Sequence, residues 1–489
     1  MENFYFFVSD NIQEITKLIS INQAYEISSS NERYKQFIYF PNNHSCETIH
    51  SQDLNRFHNL ICIELLYYHH DSDFNKHTNI RKIKMSNRNY YSSVLSLKKL
   101  TQVEYVQKFT EKILVNPPVS LYDKIHLSPN NIHNSNLRII TADYKFDNYN
   151  FMFSLNQLER ITTLNGMIPE IINKLINFTN LTYLHQRPSN ADHWRNKYIS
   201  TILPLSGLQY LKCNNVKISK HLNRLTNLQI LLLRQSTGLF KLTNVTKLTL
   251  RECDITFKPT YEYSNLKELK LKHIRDYPET YVNMITLTKL ELNNNYNPLS
   301  LFESDDSGWL NIKESIVSLT NLQDLILNMK DKAPSGRKII NLNTLTRIRK
   351  LCLISSSYKF KISKLNQLTH LIIQGHEPIG MSMLTSLINL KKDCKKLNYS
   401  NCINIEVLNG MKKSERNLLS KLTRLKELKM NFVKLQNIEL KRLINLTYLH
   451  FWDKKYEHTL KDIKQLKILT NLKVLKINKE CIIPKKRIY

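Results

Sequence analysis

The chain has 489 residues, and its 71 Lys and Arg against 41 Asp and Glu give a formal net charge of +30. That length exceeds one compact core, so the candidates are two or three globular domains or one elongated repeat array. The charge favours acidic partners, nucleic acid or an anionic membrane through long-range attraction and specifies no fold. With only 8 Gly and 13 Pro beside abundant Lys, Asn and Ile, part of the lysine content matches an A/T-rich coding bias. No stretch reaches the ~18 consecutive apolar residues of a membrane span. The opening MENFYFFVSDN has an apolar patch but no basic region or cleavage site, so it does not read as a secretory signal. The 8 cysteines lack paired spacing, which points to reduced thiols and an intracellular location, cytoplasm or nucleus.

Residues 1–55 differ from the rest of the chain. Within VSDNIQEITKLISINQAYEISSSNERYKQFI, Val8, Ile12, Ile15, Leu18 and Ile19 recur at helical spacing. Ser9 or Asp10 can cap the start, and Tyr25, Ile27, Tyr34 and Phe37 extend the pattern. A helical N-terminal cap is expected here. The segment also resembles an F-box, the helical module that docks substrate adaptors onto a ubiquitin ligase. Val8-Ser9-Asp10-Asn11-Ile12 stands where that family has Leu-Pro-x-Glu/Asp-Ile, and Asn31-Glu32-Arg33-Tyr34 where it has a basic residue followed by an aromatic. The proline is missing and the spacing is short. The resemblance implies a ubiquitin-ligase linker as a partner of residues 1–55.

From about residue 56 one phrase recurs: LTNLQILLL from Leu225, LTNVTKLTL from Leu242, LTNLQDLIL from Leu319, LTRLKELKM from Leu422 and LTNLKVLKI from Leu469. With its second leucine as anchor, apolar residues fall at anchor, anchor+3 and anchor+5. Examples are Leu208/Leu211/Cys213, Leu228/Leu231/Leu233, Val245/Leu248/Leu250, Leu322/Leu325/Leu327 and Leu446/Leu449/Phe451. Weaker copies sit upstream at Leu60/Ile63/Leu65, Ile80/Ile83/Met85, Leu100/Val103/Tyr105, Tyr122/Ile125/Leu127 and Leu181/Leu184. The alternation predicts a short strand with one face inward, and a unit this small buries that face only by stacking on its neighbours.

The pattern resembles the leucine-rich-repeat family over roughly residues 56–480, with a period near 21. The resemblance implies an α/β solenoid, a horseshoe or arc with a parallel concave sheet and short turns or 3-10 segments on its convex side. At anchor+8, where the family has Asn or Cys, Cys253 and Asn295 fit and Ser236 and Ser356 are weaker substitutes, whereas Lys330, Val433 and Glu480 depart. Insertions are expected near 296–318, a polar and locally acidic stretch, and near 391–424. In the latter region Leu390 competes with a register through Cys394, Leu397, Tyr399 and Cys402, which fits the template better. Residues 481–489 form a basic tail.

The sequence holds no catalytic, cofactor-binding or metal-binding constellation. Gly375 to Ser382 has the spacing of a phosphate loop, but Met381 stands where the lysine must be. His69, His70, Asp71, Asp73 and His77 read as a solvated turn, and Cys394 and Cys402 lack the second pair a zinc site needs. The residues expected on the concave face are Tyr210, Lys212, Arg234, Arg251, Lys270, Lys429, Tyr448 and Trp452, with Tyr183, Lys272 and Lys476 beside them. Basic and aromatic residues together suit nucleic acid, but Glu252, Glu268, Glu291, Asp324 and Glu427 interrupt them. The expected function is therefore non-enzymatic protein binding through the concave face, with an acidic protein as partner. A ubiquitin-ligase adaptor and a nucleic-acid-binding solenoid are the alternatives.

Overall fold

A computed structural model describes residues 4–6, 18–19, 37–39, 62–65, 79–86, 99–106, 138–142, 157–163, 178–186, 202–214, 216–218, 222, 224–238, 243–255, 263–274, 284–294, 316–329, 339–355, 358–394, 397–412, 415–431, 442–452, 466–477 and 480–482. Each repeated phrase folds into a turn followed by a strand. The anchor N–H donates to the carbonyl three residues earlier, as Leu208 to Leu205, Leu322 to Leu319 and Leu446 to Leu443, at 3.0–3.1 Å. All six of these leucines are buried. The asparagine before the anchor has its own task. Asn227, Asn265, Asn321, Asn404, Asn445 and Asn471 each donate Nδ2 to a carbonyl of the preceding rung at 2.7–2.9 Å. The threonine after the anchor acts likewise: Thr101, Thr182, Thr288, Thr369 and Thr447 donate Oγ1 to preceding-rung carbonyls at 3.1–3.2 Å. The asparagines thereby satisfy turn carbonyls that no strand N–H among the described residues reaches, and the threonines add a further donor to carbonyls that already accept two backbone N–H groups of the next rung. The phrase is thus one rung of a parallel β-solenoid.

The chain divides into two compact units, Met1–Phe240 and Lys241–Tyr489. In the first, strands Phe37–Tyr39, Cys62–Leu65, Lys82–Ser86, Gln102–Val106, Ile139–Ala142, Arg160–Thr163, Tyr183–Gln186, Tyr210–Asn214 and Ile230–Arg234 pair in parallel, each with the next. Gln102–Val106 pairs directly with Ile139–Ala142. The expected copy at Tyr122/Ile125/Leu127 lies outside the described residues. Rungs centred on Ile140 and Ile161 occur where the phrase was too degenerate to read. At the start, Phe4–Phe6 pairs antiparallel with Leu18–Ile19 and with Phe37–Tyr39. Leu18, Ile19 and Phe37 are therefore extended rather than helical, Leu18 and Ile19 facing Tyr5 and Phe4, aromatic residues that favour strands. The rest of the expected helical cap, the F-box-like segments Val8 to Ile12 and Asn31 to Tyr34, and the His69–His77 cluster lie outside the described residues.

In the second unit eleven described strands pair in parallel in chain order: Lys247–Arg251, Glu268–Lys272, Lys289–Asn294, Asp324–Met329, Lys350–Ser355, His370–Gly375, Asn389–Cys394, Val407–Met411, Glu427–Asn431, Tyr448–Trp452 and Val474–Ile477. Glu480–Ile482 then folds back antiparallel on the last of them. Inward residues repeat as expected, with Leu325, Leu351, Leu371 and Leu428 all at most 2% exposed. Strand ends turn through left-handed backbone at Glu252 (φ 54) and His273 (φ 52). The +8 cysteine behaves as the family pattern implies, Cys253 Sγ donating to the Arg251 carbonyl at 3.2 Å. In the first unit Ser236 does the same, donating to the Arg234 carbonyl at 2.9 Å.

The register between 385 and 424 differs from the one the template favoured. The rungs there are Leu387/Leu390/Lys392 and Ile405/Leu408/Met411. Leu397, Tyr399 and Cys402 are buried in the connection between the two strands. The template misled because the true +5 position holds a lysine. Lys392 is 2% exposed and pairs with Glu415, which precedes the short helix Arg416–Leu419. Gly410 supplies the bulge that keeps the next rung in register. Its φ is +90, and a Cβ there would lie 1.8 Å from the Lys392 carbonyl oxygen.

Candidate functional site

The core-facing residues of each strand leave a second set on the opposite face, and this outer face is where side chains are free to meet a ligand. In the first unit Arg160, Tyr183, Tyr210 and Ile230 align across neighbouring strands. The Arg160 guanidinium lies 3.9 Å from the Tyr183 ring centre, and Tyr183 stacks on Tyr210 at 4.0 Å with an 11° interplanar angle. Burial, helped by the hydrogen bond and charge of Tyr183 and opposed by Arg160, holds the Tyr210 phenol protonated far above its ordinary range. Lys212 and Arg234 lie on the same face, half-buried, at the strands Tyr210–Asn214 and Ile230–Arg234. Tyr183 covers one ring face of Tyr210, so that face offers no stacking platform.

In the second unit the outer face falls into three stretches. The first carries charges of both signs. Lys247, Glu268, Lys289, Asp324 and Lys350 align in alternating sign across five strands, with Lys247 Nζ 3.2 Å from Glu268. Lys270 and Lys272 both reach Glu291, at 3.4 and 2.8 Å. Desolvation pushes the Glu291 carboxyl up, and the bonds and charges of Lys272 and Lys270 more than reverse it, leaving it below the usual carboxylate range. Arg251 pairs with Glu252 at 2.9 Å. Glu252 sits in the left-handed turn after its strand, so it does not interrupt the strand face as the sequence suggested.

The second stretch is apolar. Ile326, Cys352 and Ile372 are register partners on three consecutive strands, and Ile354 lies beside them on the middle one. Ile372 is 38% exposed. The Cys352 thiol is pushed up by burial, with the Lys391 charge opposing and the Glu291 charge adding, so it stays protonated at neutral pH. The signal for this strip was legible in hindsight. Leu325-Ile326-Leu327, Leu351-Cys352-Leu353 and Leu371-Ile372-Ile373 break the alternation that every polar-faced strand keeps.

The third stretch is basic. Lys429, His450 and Lys476 are register partners on the last three parallel strands. The ammonium groups of Lys429 and Lys476 lie 5.3 and 5.7 Å from the Tyr448 ring centre. His450 meets the same ring edge-on at 6.5 Å. Trp452 closes the strand Tyr448–Trp452 opposite Asn431, and its side chain is outside the description. Of the residues expected from sequence, Lys429 and Tyr448 come together here, Lys270 is committed to Glu291, and Tyr210, Lys212 and Arg234 belong to the first unit's face. Among the described residues no group of three potential ligands could hold a metal ion, and no helix is long and apolar enough to cross a membrane.

Similar architectures occur among solved structures. An internalin, InlF, from Listeria monocytogenes is 17% identical, with 66% of this chain and 87% of that one covered and a TM-score of 0.40. A leucine-rich-repeat protein of Leptospira interrogans is 14% identical over 83% of this chain and 91% of its own, with a TM-score of 0.41. The functional domain of InlJ from Listeria monocytogenes, described as including a cysteine ladder, is 14% identical over 91% and 78%, with a TM-score of 0.33. No protein-family model and no curated protein matches the chain.

Proposed function

We propose that the protein is a non-catalytic binding module that engages another protein through the outer strand face of its second unit. The observation that carries this reading is the strip Ile326, Cys352, Ile354 and Ile372, set on strands whose other outward residues are polar. An apolar centre flanked by charged residues is the anatomy of a protein interface. On one side it meets Glu291 with its two lysines, and on the other Lys391 and Asp393. The sign alternation from Lys247 to Lys350 works against a nucleic-acid reading, because a phosphate backbone needs an uninterrupted positive track.

The test is recovery of partner proteins by the full chain carrying Ile326→Lys and Ile372→Lys. The control carries Ile285→Lys and Ile444→Lys, which alter isoleucines 65% and 59% exposed on the turn side. Partners lost by the first variant and kept by the second support the face. Equal recovery by both refutes it. Maleimide labelling of Cys352 gives an independent readout, because a partner seated on the strip slows it.

A further inference from the structure

In the basic stretch two lysines meet an aromatic ring rather than a carboxylate. Lys247, Lys270 and Lys272 hold carboxylates of their own chain within 3.4 Å. Lys429 and Lys476, among the described residues, hold none, and both are drawn to the face of Tyr448 instead. A cation–aromatic contact orders an ammonium without neutralising it, and its N–H donors remain available. The ordering cost of two long side chains is thus met before any ligand arrives. The nearest carboxylate in sequence, Glu427, lies beside Tyr448 in the register and forms no ion pair with either lysine among the described residues.

The apolar strip and this clamp lie on one continuous ladder. The row runs Ile326, Cys352, Ile372, Lys391, Asn409, Lys429, His450, Lys476, each on the next strand. At ~4.8 Å between strands, Ile372 is about 14 Å from Lys429 and about 24 Å from Lys476 along the row. An extended peptide of ~3.3 Å per residue covers those distances in about four and seven residues.

We infer that this face binds an acidic segment of a partner protein. Its apolar side chains sit on Ile326, Cys352 and Ile372, and its carboxylates are seated about four to seven residues away on Lys429 and Lys476 at Tyr448. Charge complementarity selects the occupant, since two unneutralised ammonium groups at a fixed spacing favour carboxylates. This rests on the strand-face reading above and names its partner's chemistry.

The test uses the full chain and synthetic peptides in which a Leu-Ile-Leu block is separated by two to eight Gly/Ser residues from a block of four Asp and Glu. Peptides with Asn and Gln in place of the acids, and a single-stranded DNA, serve as comparisons. Fluorescence anisotropy should show the acidic peptides binding about tenfold or more tighter than the amide versions, best at spacings of about four to seven residues, with the gap narrowing in high salt. Lys429→Glu with Lys476→Glu should abolish that gap, and Tyr448→Leu should reduce it with both charges still present. Lys421→Glu with Lys473→Glu, exposed lysines off the strand face, should leave it intact.

If the clamp variants change nothing while Ile372→Lys weakens acidic and amide peptides alike, the carboxylate assignment falls and the strand face stands. If neither Ile372→Lys nor the clamp variants alter binding, or no peptide binds, both fall. DNA binding tighter than any peptide and lost specifically in the clamp variants would overturn the inference in favour of nucleic acid.

Discussion

Removing Lys392 is the sharpest test of the second unit's packing. Lys392 occupies an inward strand position whose register partner on the preceding strand is Ile373. Its side chain is 0% exposed and that of Glu415 is 6% exposed, so the surface-pair figure of ~0–1 kcal/mol does not apply. Glu415 Oε2 also accepts the Lys412 N–H at 3.1 Å, and the Lys392 ammonium lies 5.5 Å from the Tyr399 ring centre. Lys392→Met leaves a buried carboxylate without its counter-charge, and Glu415→Gln leaves a buried ammonium. Each should cost about 3–5 kcal/mol. The double variant Lys392→Met with Glu415→Leu should recover most of that loss, because apolar replacement of a whole buried pair is neutral to stabilising by about 1–4 kcal/mol. Glu415 Oε1 and the Tyr399 hydroxyl have no hydrogen-bond partner among the described residues, which adds to the gain expected from an apolar pair. The assay is chemical denaturation of the full chain, with amide exchange on Asn389–Cys394 and Val407–Met411 to localise the loss. Single variants costing less than about 1 kcal/mol, or a double as unstable as the singles, would refute the argument.

Leu325→Asp places a charge in a fully buried position and should cost about 4 kcal/mol or more, whereas Asp324→Ala next to it should change stability by no more than about 0.5 kcal/mol; equal melting losses would mean the strand register is wrong. Gly410→Ala must strain a φ of +90 and displace the Lys392 carbonyl, so a loss of about 2 kcal/mol or more is expected in the same denaturation assay, and a neutral outcome would remove the bulge. Asn445→Ala deletes one inter-rung bond to the Thr423 carbonyl and should cost about 0.5–1.5 kcal/mol by denaturant midpoint. Because the folded-state pKa of Glu291 is depressed, its stabilisation is present above the ordinary carboxylate range and lost as pH falls through it. Between about pH 6 and about pH 3 the wild type should therefore lose more stability than Glu291→Gln, as read by midpoint against pH.

The sequence by itself determined the rung. A leucine at anchor, anchor+3 and anchor+5 can bury its face only against another copy, so recurrence of the phrase dictated a stacked parallel ladder, and the inward register of Leu325 or Leu449 followed from period-two alternation. It also placed Lys429 and Tyr448 on the outward face. The tertiary structure alone decided what lies beside what on that face. Residues 18 to 35 positions apart become register partners, about 4.8 Å from one another, and no local pattern records whether a lysine meets a carboxylate, as Lys270 meets Glu291, or an aromatic ring, as Lys429 meets Tyr448. The same limit hid the rung through Lys392. A lysine in a core position is legible only once its buried partner, Glu415, is brought to it from 23 residues further along the chain.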